Sequence, residues 1–186
     1  MYHIPEDKRA KRSAASISEA LLASLRNTEF NDISVSYLTR KSGVSRSTFY
    51  RLFDNTADIL AYLCDSIFEE IILGQANMSF SNATELMTFF NERMMSYDIL
   101  LDALIKSKMT DILYSTNQKY LSLFLSVFKE AKKGVPPKTL DCSISILSVS
   151  LCVYITWWAK NGKKESPKEL TDIVQSSFQL LSRISL

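Results

Sequence analysis

Side chains that could do covalent or acid–base chemistry are sparse in this chain of 186 residues. His3 is the only histidine, so a nucleophile–histidine pair of the kind that hydrolases use is not expected. The cysteines Cys64, Cys142 and Cys152 form no Cys-x-x-Cys pair and are predicted to be buried, reduced side chains. No group of residues has metal-site spacing, and no glycine-rich phosphate loop occurs. The sequence therefore argues against an enzyme and predicts no cofactor and no metal.

Residues suited to binding lie between positions 33 and 53. Two short helices are predicted here, one capped by Ser34 and ending at Gly43, the other capped by Ser45. Glycine suits the turn between them because it adopts a left-handed conformation without a clash at Cβ. Apolar residues are spaced to face inward and hold the two helices together: Leu38, Val44, Phe49 and Phe53. This pattern predicts a helix-turn-helix.

The outward face of the second predicted helix carries hydrogen-bonding groups and no aliphatic stripe: Arg46, Ser47, Thr48, Tyr50 and Arg51. Arginine can bond both acceptors of a guanine in the major groove, and hydroxyl groups reach phosphates or base edges. No acidic residue occurs over positions 40–51, and the net charge of +2 comes entirely from the first sixty residues. We therefore predict binding to double-stranded DNA. The predicted contact set also includes two N-caps, two further positions and a second basic group: Ser34, Ser45, Ser36, Thr56, Lys8, Arg9 and Arg12.

Residues 10–63 resemble the DNA-binding domain of the TetR (tetracycline-repressor-like) family of bacterial regulators. The resemblance is carried by Ser34, Leu38-Thr39, Gly43-Val44-Ser45, Thr48-Phe49-Tyr50 and Phe53. It implies that Tyr50 contacts phosphate, that the remaining outward residues face the groove, and that the protein represses transcription. A dimer with its two recognition helices one helical turn apart would then read a palindromic operator.

Two positions depart from the family pattern. Leu52 stands where the family often has His or Tyr, and Thr56 where it usually has Lys. Both usual residues contact phosphate, so weaker non-specific binding is expected, which the Lys8–Arg12 group could offset by reaching the neighbouring DNA backbone or minor groove. A protein of the same fold that acts through a protein partner, without strong DNA binding of its own, is the alternative.

Apolar residues recur with a helical period along almost the whole chain, which predicts an all-α fold of about nine helices. The first helix is expected to start near Pro5, and the last is marked by a capping box at Ser166, Pro167 and Glu169. Long helices are predicted over residues 111–132 and 139–160. Residues 1–56 are assigned to a DNA-binding domain and residues 57–186 to a regulatory and dimerisation domain.

The resemblance gives the C-terminal helices two roles, dimerisation and ligand sensing. The helix at 139–160 carries two apolar stripes and must be covered on two sides, either by a second copy or by the chain's own helices. We place a homodimer interface at Leu147, Leu151, Ile155, Trp158, Ile173 and Phe178. Flexible and aromatic side chains that are otherwise core residues could line a pocket for a small apolar ligand: Met87, Phe90, Met94, Met109, Tyr114, Phe124 and Phe128.

One segment bears on localisation. Residues 142–159 carry no charge, which is the lower edge of a membrane-spanning length. Four serines and a threonine dilute this stretch, so a buried helix without membrane association is predicted. The N-terminus lacks the apolar core of a secretion signal, and a cytoplasmic protein is expected.

Overall fold

The computed structural model describes residues 1–76, 78, 80–124 and 133–184 and places nine α-helices among them. In chain order these are α1 (Lys8–Leu25), α2 (Val35–Ser42), α3 (Arg46–Leu52), α4 (Ala57–Ala76), α5 (Ala83–Met95), α6 (Asp98–Lys106), α7 (Thr110–Phe124), α8 (Pro137–Lys160) and α9 (Pro167–Arg183). A 3₁₀ helix, Phe30–Asp32, precedes α2, and the only β-type pairing in the described part is an isolated bridge between Tyr2 and Phe53. The predicted all-α fold is confirmed.

Helix starts that depend on local capping were predicted correctly. The side chains of Ser34 and Ser45 cap α2 and α3. At α9, the Ser166 hydroxyl accepts a hydrogen bond from the Glu169 N–H at 3.3 Å, and the Glu169 carboxylate accepts one from the Ser166 N–H at 2.8 Å. These hydrogen bonds hold the pKa of Glu169 below its usual value. The predicted capping box is therefore confirmed.

Other boundaries differ from the sequence prediction. Helix α1 begins at Lys8 rather than near Pro5, because the Asp7 carboxylate accepts the N–H groups of Arg9 and Ala10, both at 2.9 Å. Helix α8 begins at Pro137, in the first-turn position that proline favours. Helix α7 begins at Thr110, and the predicted continuation through residues 125–132 lies outside the described residues.

The described chain divides into two compact units, the first made of Met1–Ser66 and Ile99–Thr116. Its core collects side chains with no exposed area from α1, α2, α3 and the first half of α4: Ile17, Leu21, Leu38, Phe49, Leu52, Ile59 and Leu60. Because α3 is only seven residues long, its stability must come from this packing rather than from its own hydrogen bonds.

The second unit is made of Ile67–Asp98 and Asn117–Leu186. A buried polar network crosses its core, in which Asn91 donates to Thr171 at 3.0 Å and accepts from the Tyr154 hydroxyl at 2.7 Å. Burial raises the pKa of Tyr154 far above its ordinary value. The network ties α5 to α8 and α9. The division at residue 56 into a DNA-binding domain and a regulatory and dimerisation domain, which the sequence analysis assigned, stays a prediction.

Helix α8 has one buried and one exposed apolar face. Leu151, Ile155 and Trp158 are at most 4% exposed, because they pack in the core of their own unit. Their assignment to a dimer interface is therefore wrong, and Leu147 is half-buried. The face left exposed consists of Ile146, Val149, Val153 and Trp157.

Among the described residues, Pro137–Lys160 is the single helix long and apolar enough to span a membrane. The criterion is one of length and composition only, and the core helix of a soluble protein also meets it.

Candidate nucleic-acid interface

The turn between α2 and α3 has the predicted geometry. Gly43 adopts φ +68° and ψ 13°, a conformation in which L residues are disfavoured. A Cβ at this position would meet no atom within 4 Å, so the requirement for glycine is conformational and not steric. Ser45 follows in an extended conformation, and its hydroxyl accepts the Thr48 N–H at 3.1 Å. The turn thereby fixes where α3 begins.

Helix α3 presents its polar side to solvent. Phe49 and Leu52 are fully buried, and the Phe49 ring lies 5.7 Å from the Phe53 ring. The exposed side chains are Arg46, Ser47, Tyr50 and Arg51, and Thr48 is half-buried. The Tyr50 ring contacts the edge of Phe49 at a centroid distance of 5.4 Å and remains 49% exposed. The predicted outward orientation of these residues is therefore confirmed.

Three hydroxyl groups meet on the first turn of α3. The Ser45 Oγ lies 2.9 Å from Thr48 Oγ1 and 3.0 Å from Ser47 Oγ. Since each hydroxyl is both a donor and an acceptor, the cluster can bond a phosphate oxygen or a base edge with little rearrangement. Ser34, the N-cap of α2, is exposed, and its side chain accepts the Tyr37 N–H at 3.2 Å.

The basic residues of this region differ in how far they are neutralised. Within the described part of the chain, no carboxylate lies within ion-pair distance of Arg46 or Arg51. Lys41 donates to the Ser24 hydroxyl at 2.8 Å and lies over the Tyr37 ring. The hydrogen bond with Ser24 and the charge of Lys41 lower the pKa of Tyr37. Arg40 and Lys41 of α2 thus lie over the Tyr37 ring, whereas Arg46 and Arg51 of α3 lie exposed on the same surface.

The second basic group lies on the first turns of α1. Lys8, Arg9 and Arg12 are exposed, and the neighbouring Lys11 pairs with Glu6 at 2.5 Å. Because the group is helical, it can reach DNA only by the length of its side chains and not as an extended arm.

The two departures from the family pattern have distinct structural settings. Leu52 is fully buried, so this position offers no phosphate contact. Thr56 is half-buried just before α4. The Asp58 carboxylate accepts the Asp54 N–H at 2.8 Å, and Asn55 accepts the Asp58 N–H at 3.2 Å. The start of α4 is therefore capped by Asn55, and the carboxylates of Asp54 and Asp58 pair with the amino group of Met1 at 2.7 Å and 2.9 Å.

The structure does not gather the predicted ligand-contacting residues in one unit. Phe90 and Met94 are buried in the second unit, and Met87, half-buried there, accepts a hydrogen bond from Tyr154 at 3.2 Å. Met109 and Tyr114 belong to the first unit. The side chain of Phe124 and all of Phe128 lie outside the described residues.

Sequence reasoning missed one residue that lies beside the end of α3. Tyr2 pairs with Phe53, the residue that follows α3. A contact across fifty residues from a single pairing leaves no periodic signal in the sequence, so no pattern could have revealed it.

Comparison with known proteins supports the fold. No family model matches the sequence, and no curated protein is similar to it. Solved structures are similar over nearly their whole length. Lin0861 from Listeria innocua has a TM-score of 0.74 at 14% identity, covering 96% of both chains. A TetR transcriptional regulator from Streptococcus agalactiae 2603V has a TM-score of 0.61 at 17% identity, covering 92% of this chain and 96% of that one. The dihydroxyacetone kinase operon activator DhaS has a TM-score of 0.61 at 16% identity, with the same coverage. The chain therefore has the fold of TetR-type transcriptional regulators, as the sequence resemblance implied.

Proposed function

We propose that this protein is a transcriptional regulator that binds a palindromic operator as a homodimer and represses transcription. The observation that carries the proposal is the exposed side of α3, where Arg46 and Arg51 have no carboxylate within ion-pair distance among the described residues and share the helix with a cluster of hydroxyl groups. Such an edge suits the major groove, because arginine and hydroxyl groups match the acceptors of guanine and of phosphate.

A second copy of the chain is the proposed occupant of an apolar groove between α8 and α9. The groove has a volume of about 520 Å³ and is lined chiefly by Val149, Val153, Trp157, Ile173, Phe178 and Leu181. These side chains are between 38% and 60% exposed. Contiguous apolar surface of this kind on a soluble protein is typical of an interface. Two such faces related by a twofold axis would form a self-complementary contact of four helices.

The proposal also covers whether the protein represses or activates transcription, and what releases it from DNA. Repression is the expectation from the sequence resemblance, although DhaS, one of the structurally similar proteins, is an operon activator. A small apolar ligand is proposed to release the DNA by favouring a dimer geometry that no longer fits the operator. Phe90 and Met94, in the core of the second unit, are the starting points for locating it.

Selection of DNA fragments by the purified chain tests the proposed function. Fragments of its own genome are incubated with the protein, recovered and sequenced, and the protein with both Arg46→Ala and Arg51→Ala serves as the matched control. We expect wild-type protein to enrich a few sites that share a palindrome, and the double variant to lose them. No recovery by either protein would favour the same-fold protein that acts through a protein partner, and equal recovery by the two would show that Arg46 and Arg51 do not read the site.

A further inference from the structure

Residues 2 and 3 contact the C-terminal end of α3. The His3 N–H donates to the carbonyl of Leu52, the last residue of α3, at 2.7 Å. Tyr2 forms an antiparallel bridge with Phe53, which is extended at φ −139° and ψ 132°. The last carbonyls of a helix have no partner within the helix. Residues 2–3 therefore supply one of these missing partners from outside α3.

An aromatic ladder fixes this segment to the first unit. The Tyr2 ring contacts the Tyr62 ring edge-on at 5.5 Å, and Tyr62 contacts Phe53 at 5.8 Å. Phe53 in turn packs 5.7 Å from Phe49 of α3. Edge-on pairs at these distances are favourable beyond the area that they bury. The ladder thus connects Tyr2, through Tyr62 and Phe53, to Phe49 on the buried face of α3.

The hydroxyl group of Tyr2 is hydrogen-bonded to a buried carboxylate. The Tyr2 hydroxyl donates to Asp65 of α4, and the other Asp65 oxygen accepts from Thr116 of α7 at 3.2 Å. Asp65 is 9% exposed, and hydrogen bonds to a charged group are among the stronger ones. The segment is therefore held by its backbone, by its ring and by its hydroxyl group.

We propose that residues 2–3 form a strap that holds α3 in its DNA-reading orientation, with Tyr2 as the positioning residue. A helix of seven residues frays readily unless its ends are stabilised. The turn at Gly43 stabilises the N-terminal end of α3, and the strap stabilises its C-terminal end. This inference rests on the proposed DNA binding for its functional meaning, but the strap itself is testable without DNA.

Amide hydrogen exchange of the free, full-length chain is the first test. Tyr2→Ala, which removes both the ring and the hydrogen bond to Asp65, is expected to speed exchange at residues 50–53 by more than about tenfold, the effect of losing one hydrogen bond to a charged group alone, while amides of α9 are unchanged. Tyr2→Phe keeps the ring but not the hydroxyl, and is expected to fall between wild type and Tyr2→Ala. His3→Ala is the matched control, because its backbone N–H is retained and its exposed side chain makes only a 3.5 Å contact with Asp54. Exchange at residues 50–53 that is equal in wild type and Tyr2→Ala would overturn the strap.

DNA affinity is the second test, measured on a selected site well below the unfolding temperature of every variant. Tyr2→Ala is expected to bind more weakly in proportion to the fall in the fraction with an ordered α3, by about tenfold where only about a tenth stays ordered, and Tyr2→Phe to recover part of the loss. The salt dependence should stay that of wild type, since no phosphate contact is removed. Unchanged affinity alongside faster exchange would overturn the positioning role. Failure of the wild-type chain to bind any DNA would instead count against the proposed function and leave the exchange result standing.

Discussion

At the scale of single residues, the two arginines of α3 decide whether this surface can read DNA. An exposed arginine that already pairs with a carboxylate must exchange one partner for another when it binds DNA, and the net gain is small. Arg46 and Arg51 have no such partner among the described residues and lie on an exposed polar face. They can therefore contribute the full strength of an arginine contact to a base or a phosphate.

Replacing these arginines should weaken binding to the selected site. Arg46→Ala or Arg51→Ala is expected to cost about 1–3 kcal/mol if the residue reads a base, together with relaxed preference at that base pair. Titration of wild-type and base-substituted duplexes measures both effects. Arg26→Ala, at the exposed C-cap of α1, is the control and should leave affinity unchanged. An equal loss from Arg26→Ala would show that the effect is one of general charge.

The basic group on α1 is predicted to act on the DNA backbone. The triple variant Lys8→Ala, Arg9→Ala and Arg12→Ala should lower the slope of log affinity against log salt by about 0.9 for each residue that contacts a phosphate. Substitution is a cleaner test than deletion of residues 1–12, since deletion also removes the Asp7 cap and the strap. The control variant carries Lys160→Ala and Lys164→Ala, exposed in the second unit. A slope equal to that of wild type would remove the α1 group from the interface.

At the scale of elements, local chemistry was predictable and long-range contact was not. Caps act over three residues, so Ser34, Ser45 and Ser166 were identifiable from the sequence alone. The start of α1 was misplaced because the prediction relied on Pro5, whereas the structure shows that the Asp7 carboxylate accepts two N–H groups of the first turn. Periodicity also found both apolar stripes of α8, but it cannot tell which stripe the chain's own core covers. Which stripe is covered depends on packing between distant segments. Leu151, Ile155 and Trp158 were therefore wrongly assigned to the dimer interface, although they are buried in the chain's own core.

The turn at Gly43 allows a test of the helix-turn-helix itself. Gly43→Ala is expected to lower the free energy of unfolding by about 1–2 kcal/mol, because alanine is strained at a positive φ even where space is free. Gly43→Asn should cost less, since asparagine tolerates this conformation better. Urea unfolding of the three proteins gives the comparison. Equal stability of the alanine variant and wild type would mean that the turn is not left-handed.

At the scale of the whole molecule, the exposed groove on α8 and α9 should determine the oligomeric state. Val153 is 59% exposed at the groove, so Val153→Glu should leave the fold intact. Association would then have to desolvate a carboxylate in an apolar interface, which is costly. We expect sedimentation of wild type as a dimer and of the variant as a monomer.

The control for this prediction is Met78→Glu, which places the same charge at a residue that is 52% exposed and is not among those that line the groove. It should sediment like wild type. A wild-type monomer, or a Val153→Glu dimer, would show that the groove is not the contact between copies.

Footprinting of the full-length chain on its selected DNA tests the central claim most directly, because it depends on α3 and on the dimer together. The account predicts two protected half-sites related by a twofold axis, with centres about one helical turn, roughly 34–36 Å, apart. It also predicts that both protections disappear together in the Arg46→Ala, Arg51→Ala double variant. A single protected patch without symmetry, or protection that survives in the double variant, would contradict it.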